Sequence, residues 1–406
     1  MGVVGDAKRK PVPMLALERQ FAPLRDEILA AIAEVCDAKS FILGPKVLAF
    51  EAAAAEACGT KFAVGCASGT DALWLALAAA GIGDSTQAVR ASERTAVLTT
   101  PFTFFATASA ILRAGARPVF ADIDPRTFNL SADAVEGALG GPEGAALRAV
   151  MPVHLYGQCA EMNRFYALAQ ERGLAILEDA AQAFGATWRC DDGVVRSAGW
   201  FGAAAGFSFY PTKNLSAFGD AGMVTTSDAT VNARLRSLRS HGATQRYYHD
   251  EVGWNSRMDA VQGAVLGVKL KHIARWNQER RERALRYDEL FRAARIAAEE
   301  GSISAKDGVA LPFTDGRAGH VFHQYVVRVA RRDALREHLV QRGIGSEVYY
   351  PVPLHLQPAL RELGYKRGDF PEAERAADEV LALPIFPELC EDEQERVVEA
   401  VREFYA

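Results

Sequence analysis

The residues with the most chemical potential stand at the ends of short apolar runs. Lys213 lies in GFSFYPTKNLSAFGDAGMVTT, residues 206–226, among Phe207, Phe209, Tyr210 and Phe218. A lone buried ammonium is costly, so an exposed turn is the ordinary place for it. The other use of such an amine is as a Schiff-base nucleophile in a partly desolvated pocket. Upstream, Asp179 ends an apolar run and Gln182 follows three residues later in EDAAQAF. A carboxylate there either caps a helix or needs a cation or several donors. Ser68-Gly69-Thr70 follows Phe62–Ala67 and precedes a helical run from Asp71. That turn is either a plain N-cap or an anion site made by free N–H groups and the helix dipole. In PFTFFATASA, Phe104 or Phe105 is placed to present a ring at a sheet edge, or to join the core. Strand alternation sets Ser208 opposite Phe207 and Phe209.

Each signal is modest alone. In order, they supply a phosphate cup, an aromatic ring, a carboxylate and a lysine. Pyridoxal phosphate (PLP) needs this set: a covalent lysine, an acid for the pyridinium nitrogen and an anchor for the phosphate. The chain carries no GxGxxG after a strand, no P-loop and no zinc-like His/Cys spacing, so no metal site is expected.

Elements of matching period must hold these residues. Strands are expected at Phe62–Ala67, Ala96–Thr100, Pro118–Ile123, Ala149–Val153, Leu174–Glu178, Gly206–Phe209 and Met223–Thr226. Helical patterns lie at about 17–36, 46–58, Asp71–Ala80, Phe105–Ala114, Ala132–Leu139 and Met162–Arg172. The alternation predicts an α/β fold with a largely parallel sheet, whose ligands sit beyond the carboxyl ends of the strands. From Ser256 to about Ala294 the pattern reads as one long helix. Beyond it, strands at Val321–Val329 and Ile344–Tyr350 suggest a smaller α+β domain. The expected partition is 1–270, a large domain with an N-terminal helical segment, and 271–406, the small one.

With 406 residues, 49% hydrophobic and 24% charged, the chain has the profile of a soluble globular protein. A net charge of −5 offers no footprint for nucleic acid or an anionic membrane. The six cysteines form no CxxC pair and read as reduced thiols. The N-terminus has no signal-peptide core, and Asp6 stands where a myristoylation site needs Ser or Thr. No run is long enough to span a bilayer, and a cytoplasmic location is expected.

The segments CASGTDALWLAL, PFTFFATASAILRAGARPVFADID, HLYGQ, EDAAQAFGA, GFSFYPTKNLSAFGDAGMV and VGWNSRMDAVQGAVL resemble the DegT/DnrJ/EryC1/StrS family. These are PLP-dependent nucleotide-sugar aminotransferases of fold type I, like aspartate aminotransferase. The resemblance implies that Lys213 carries the cofactor and that Asp179 keeps its pyridine nitrogen protonated. It implies that Gln182 bonds the phenolic oxygen and that Phe104 stacks on the ring, a place Phe105 contests. Ser208 with the backbone of Gly69 and Thr70 would hold the phosphate. Asn255 would reach the phosphate of a partner subunit, which implies a homodimer; alternatively it caps the helix that follows. Arg257 and His323 are candidates for sugar or pyrophosphate contacts, whereas Arg246 and His249 read as solvated loop residues. The implied donor is L-glutamate and the acceptor a keto sugar linked to UDP, dTDP or GDP, 3-keto in preference to 4-keto. Its amino-sugar product would serve surface polysaccharides or glycosylated metabolites. Family members with histidine at the lysine position act as dehydratases. Another fold type I lyase, or a PLP-binding regulator, is the alternative reading.

Overall fold

Seven of the short apolar runs pair into one sheet. Numbered along the chain they are β1 (Phe62–Cys66), β2 (Ala96–Thr99), β3 (Arg117–Phe120), β4 (Leu147–Val150), β5 (Ala175–Asp179), β6 (Ala204–Ser208) and β7 (Gly222–Thr226). In space the order is β1-β7-β6-β5-β4-β2-β3. This computed structural model describes residues 10–83, 95–299, 302 and 306–406; Asp6, read above for a targeting signal, lies outside the described residues.

The sheet is largely parallel, as expected, with one antiparallel strand. β7 runs antiparallel to both β1 and β6, while β2 to β6 pair in parallel. The connection over residues 209–221 forms turns and no helix, and β7 returns beside β6 in the antiparallel sense.

Period-two alternation sorts the side chains between the two faces. Ala63, Leu98 and Ala205 enter one apolar cluster, and their neighbours Val64, Val97 and Ala204 enter another. The first cluster is covered by the helices Arg25–Ala38, Gly44–Cys58 and Ala260–Leu270, and the second by Gly69–Ala79 and Ala106–Arg113. Helix Gly69–Ala79 is apolar almost all round, as a helix buried between sheet and neighbours should be.

The long helix expected from Ser256 to about Ala294 is two helices, Ala260–Leu270 and Ile273–Ala293. The break coincides with a tertiary contact. His272 N–H bonds Lys269 O, three residues back, and Lys269 Nζ is tied to the carbonyl and hydroxyl of Ser216 at 2.9 Å each. The second helix restarts with the His272 ring stacked on Trp276.

In the C-terminal part, the strand expected over Val321–Val329 shortens to Tyr325–Arg328. It pairs antiparallel with Val380–Leu383, a strand that follows helix Pro371–Glu379 directly and is not among the expected strands. The run Ile344–Tyr350 forms no strand. Only isolated bridges occur there, Ile344 with Val12 and Glu347 with Ala382. Val12 and Ala16 are buried with this C-terminal apolar cluster, so the chain's first described residues pack against its last part. Among the described residues, no helix is long and apolar enough to cross a membrane.

Candidate functional site

Strand register assembles the site. Gly222 pairs with Cys66 on one side and Ser208 on the other, and Asp179 pairs with Gly206. The carboxyl ends of β1, β5 and β6 therefore finish side by side.

After β1 the chain turns straight into a helix that begins at Gly69 and not at Asp71. Ser68 Oγ caps it by accepting from Asp71 N–H at 3.1 Å. The amides of Gly69 and Thr70 precede the first i→i−4 bond, which Ala72 donates to Ser68. They are thus free to donate to an anion. Ser208 stands directly against this turn. A Cβ built on Gly69 would come within 2.4 Å of Ser208 Cβ and 2.8 Å of its Oγ. Gly222 is equally constrained, since a Cβ there would meet Ser68 O at 2.2 Å. Gly69→Ala is therefore expected to cost about 1–3 kcal/mol of stability by overpacking and to push Ser208 out of the cup. Thermal melts of the stripped and PLP-loaded protein check this. The variant should also release PLP on dialysis, and unchanged retention would contradict the cup.

Asp179 is buried. Its Oδ2 accepts from Thr107 Oγ1 at 2.7 Å, and its Oδ1 from Ala181 N–H at 3.2 Å. Thr107 pairs in turn with Thr103 at 3.1 Å. Burial still holds the carboxyl above its ordinary range, with Thr107, Ala181 and Lys213 opposing. An under-compensated buried carboxylate favours a cation beside it.

The strand behind is fixed by a second acid. Glu178 and His154 are fully buried and bonded at 2.9 Å. His154 Nδ1 accepts from Ala160 N–H, so Nε2 carries the proton and donates to Glu178. Gly199 and Phe201 N–H groups also donate to Glu178. His154 N–H then bonds Asp179 O at 3.0 Å.

Lys213 sits half-buried in the turn after β6. Its neighbour Asn214 is anchored to Phe184 O at 2.8 Å and to Asn277 at 3.0 Å, which fixes the turn. Burial pulls the Lys213 amine down to about 8, and Asp179 pulls it the other way. His323 is near enough for Lys213 to lower it further, although burial is the main cause. The His323 Nδ1 is buried without a partner.

Gln182 Oε1 accepts from Tyr156 N–H at 2.7 Å, and its Nε2 donates to Tyr350 Oη at 3.1 Å, leaving one hydrogen for a ligand. The Phe104 ring is 58% exposed and lies 6.0 Å from that of Tyr350. Phe105 instead stands at the start of helix Ala106–Arg113. Phe104 is thus the ring on the Gln182 side.

Asn255 and Arg257 flank Ser256, whose Oγ donates to Asp71 Oδ2 at 3.0 Å in the first turn of helix Gly69–Ala79. They bond each other at 3.0 Å on the segment entering helix Ala260–Leu270. Among the described residues, neither bonds Lys213, Asp179, Gln182 or Ser208. Arg246 and His249 lie exposed at a short hairpin of Ala243–Gln245 and Tyr248–His249. Thr103, Thr107, Tyr156 and Tyr350 are site residues that sequence reasoning missed. Thr107 lies inside the quoted PFTFFATASA, but nothing local marks its hydroxyl as turned to Asp179. Tyr350 is 168 residues from Gln182 and has no linear signal.

Residues 23–402 match the DegT/DnrJ/EryC1/StrS aminotransferase family. The chain belongs to this family. It is 46% identical over 394 residues to a pleiotropic regulatory protein of Geobacillus stearothermophilus, covering 97% of this chain and 98% of the relative. It is 42% identical over 393 residues to a UDP-N-acetyl-3-dehydro-alpha-D-glucosamine 3-aminotransferase of Acidithiobacillus ferrooxidans, covering 96% of this chain and 97% of that one. The structure of Streptomyces venezuelae DesV in complex with a ketimine intermediate superimposes with a TM-score of 0.88 at 41% identity, covering 98% of this chain and 99% of that chain. The fold is therefore the fold type I α/β architecture of these aminotransferases. PLP is the family's cofactor, and the residues present fit it. Ser208, packed directly against the Gly69 turn with its free Gly69 and Thr70 amides, suits its phosphate, and the under-compensated Asp179 suits its pyridinium.

Proposed function

We propose that the chain transfers an amino group from L-glutamate to a nucleotide-linked keto sugar, with 3-keto favoured over 4-keto. One observation carries this reading: the Lys213 amine, lowered by burial, faces Asp179 beside the Gly69–Ser208 cup. The sugar class is supported by the names of the Acidithiobacillus ferrooxidans relative and of a Streptomyces venezuelae relative, a dTDP-3-amino-3,4,6-trideoxy-alpha-D-glucose transaminase 41% identical over 401 residues.

When bound, PLP supplies the electron sink for carbanion chemistry. The rest is the work of this chain. Lys213 holds the cofactor covalently and, once displaced by the amino donor, its free amine moves the proton at the donor's Cα. Asp179, held by Thr107 and Ala181, keeps a proton on the pyridine nitrogen. Ser208 and the Gly69 and Thr70 amides grip the phosphate, Gln182 bonds the phenolic oxygen, and Phe104 covers the ring. His323 and Arg257 contact the sugar nucleotide. Asn255 completes the site of a partner in a cytoplasmic homodimer, with residues 271–406 acting as the smaller domain. Two half-reactions on one cofactor give ping-pong kinetics.

Burial penalises the charged amine, so neutral Lys213 prevails above about pH 8. Uptake of PLP by the stripped protein should accelerate through that value and level off above it. Acceleration only in the ordinary lysine range would count against the pocket. The substrate class is tested by offering UDP-, dTDP- and GDP-linked 3-keto and 4-keto sugars with glutamate and locating the new amine by NMR. An amine at C3 is expected, and no amination of any of them would overturn the reading.

The name of the Geobacillus stearothermophilus relative favours a second reading, a PLP-binding regulator. Such a protein would hold the cofactor without passing its amino group.

A further inference from the structure

A separate cleft of about 390 Å³ lies between the loop after β3, helix Ile273–Ala293 and the segment 310–328. Four arginines reach it, Arg126, Arg281, Arg292 and Arg328, against two carboxylates, Asp288 and Glu299. Beyond the lining, Asp124 stands 3.6 Å from Arg126 and Glu379 holds Arg328, so Arg281 is the one of the four without an acid partner among the described residues. Asp288 is engaged by Tyr325 Oη at 2.6 Å and stands 3.9 Å from Arg292. Arg281 is half-buried, bonds only the neutral Gln278, and has its cation disfavoured by burial.

Arg328 is the decisive residue. It is 3% exposed, with Nε on Glu379 and Nη1 on Pro125 O at 2.8 Å each, while its Nη2 is buried without a partner among the described residues. A buried guanidinium N–H left unpaired is costly, and a ligand acceptor would relieve it. Aromatic rings orient two of the guanidiniums. Arg126 lies 4.6 Å over Phe313, and Arg328 lies 5.6 Å from the centre of Phe128. Stacked guanidiniums present their N–H edges as a fork, the geometry that phosphate and carboxylate match. Leu285, Leu311 and Pro312 give the same cleft an apolar wall. His320 adds no charge, since burial holds its ring down to about 3.

We propose that this cleft is a second binding site, for a small molecule with a phosphate or carboxylate head and an apolar body. It is distinct from the lysine pocket. Phe322 lines the cleft, whereas neither His323 nor Lys213 does. The proposal is independent of the aminotransfer reading.

Calorimetric titration of the PLP-loaded protein tests it, because the loaded cofactor occupies the other phosphate site. The probes are phenyl phosphate, benzoate and inorganic phosphate. Arg328 also pairs with Glu379, so the variants are the less buried Arg281→Gln and Arg126→Gln. Phenyl phosphate should bind saturably and more tightly than inorganic phosphate, and each variant should weaken it about tenfold. Saturable binding of benzoate would make a carboxylate head equally suitable, and its failure would assign the site to phosphates. The proposal falls if phenyl phosphate does not saturate, if both variants titrate like the unsubstituted protein, or if inorganic phosphate binds equally well.

Discussion

Lys213→Ala is expected to lower turnover by a factor on the order of 10⁴ or more. Two roles end together in this variant. On the proposed function the covalent hold on the cofactor is lost, and so is the Lys213 amine that would carry the Cα proton beside Asp179. The substitution leaves the turn standing, because Asn214 and the bond from Ala217 N–H to Phe209 O fix it independently of the lysine side chain. The variant should therefore fold and retain PLP through the phosphate cup, without the absorbance of a lysine-bound cofactor. Steady-state turnover with glutamate and the accepted keto sugar, together with the visible spectrum, checks this. Activity within a few-fold of the unsubstituted protein would remove Lys213 from its role.

Asp179→Asn has the next largest effect, a loss of roughly 10³-fold in turnover. The exchange is nearly isosteric. The amide oxygen can still accept from Ala181 N–H, and Thr107 Oγ1 can accept from the new amide. What disappears is the negative charge that keeps the pyridine nitrogen protonated and the sink effective. Burial already holds the Asp179 carboxyl above its ordinary range, so a neutral group there removes a desolvation cost. Stability should therefore be unchanged or slightly raised while activity collapses. A Tm that falls with activity would mark Asp179 as a structural residue. An unchanged Tm with lost turnover is the expected result.

The site was legible where its residues follow from local rules. A carboxylate, a lysine and a small-residue turn at the ends of apolar runs are visible in the linear order. The sheet's register then brings those ends together. Helix Gly69–Ala79 starts two residues earlier than its pattern suggests, and this places the Gly69 and Thr70 amides at the cup. What the linear order hides is tertiary. The direction of β7 depends on the connection over residues 209–221 folding as turns and not as a crossover helix. The break at Lys271–His272 coincides with the contact of Lys269 to Ser216, 53 residues away. Val380–Leu383, not among the expected strands, pairs with Tyr325–Arg328. Thr107 finds Asp179 across 72 residues, and no periodicity could have paired them.

The most direct measurement is the visible absorbance of the PLP-loaded protein as L-glutamate is added. The account predicts that the yellow band of the lysine-bound cofactor bleaches to the pyridoxamine form, and that Lys213→Ala shows neither the band nor the change. A band that forms and stays unchanged at saturating glutamate would contradict glutamate-driven transfer and favour a lyase or a regulator. If no band forms at all, Lys213 is not the cofactor's lysine.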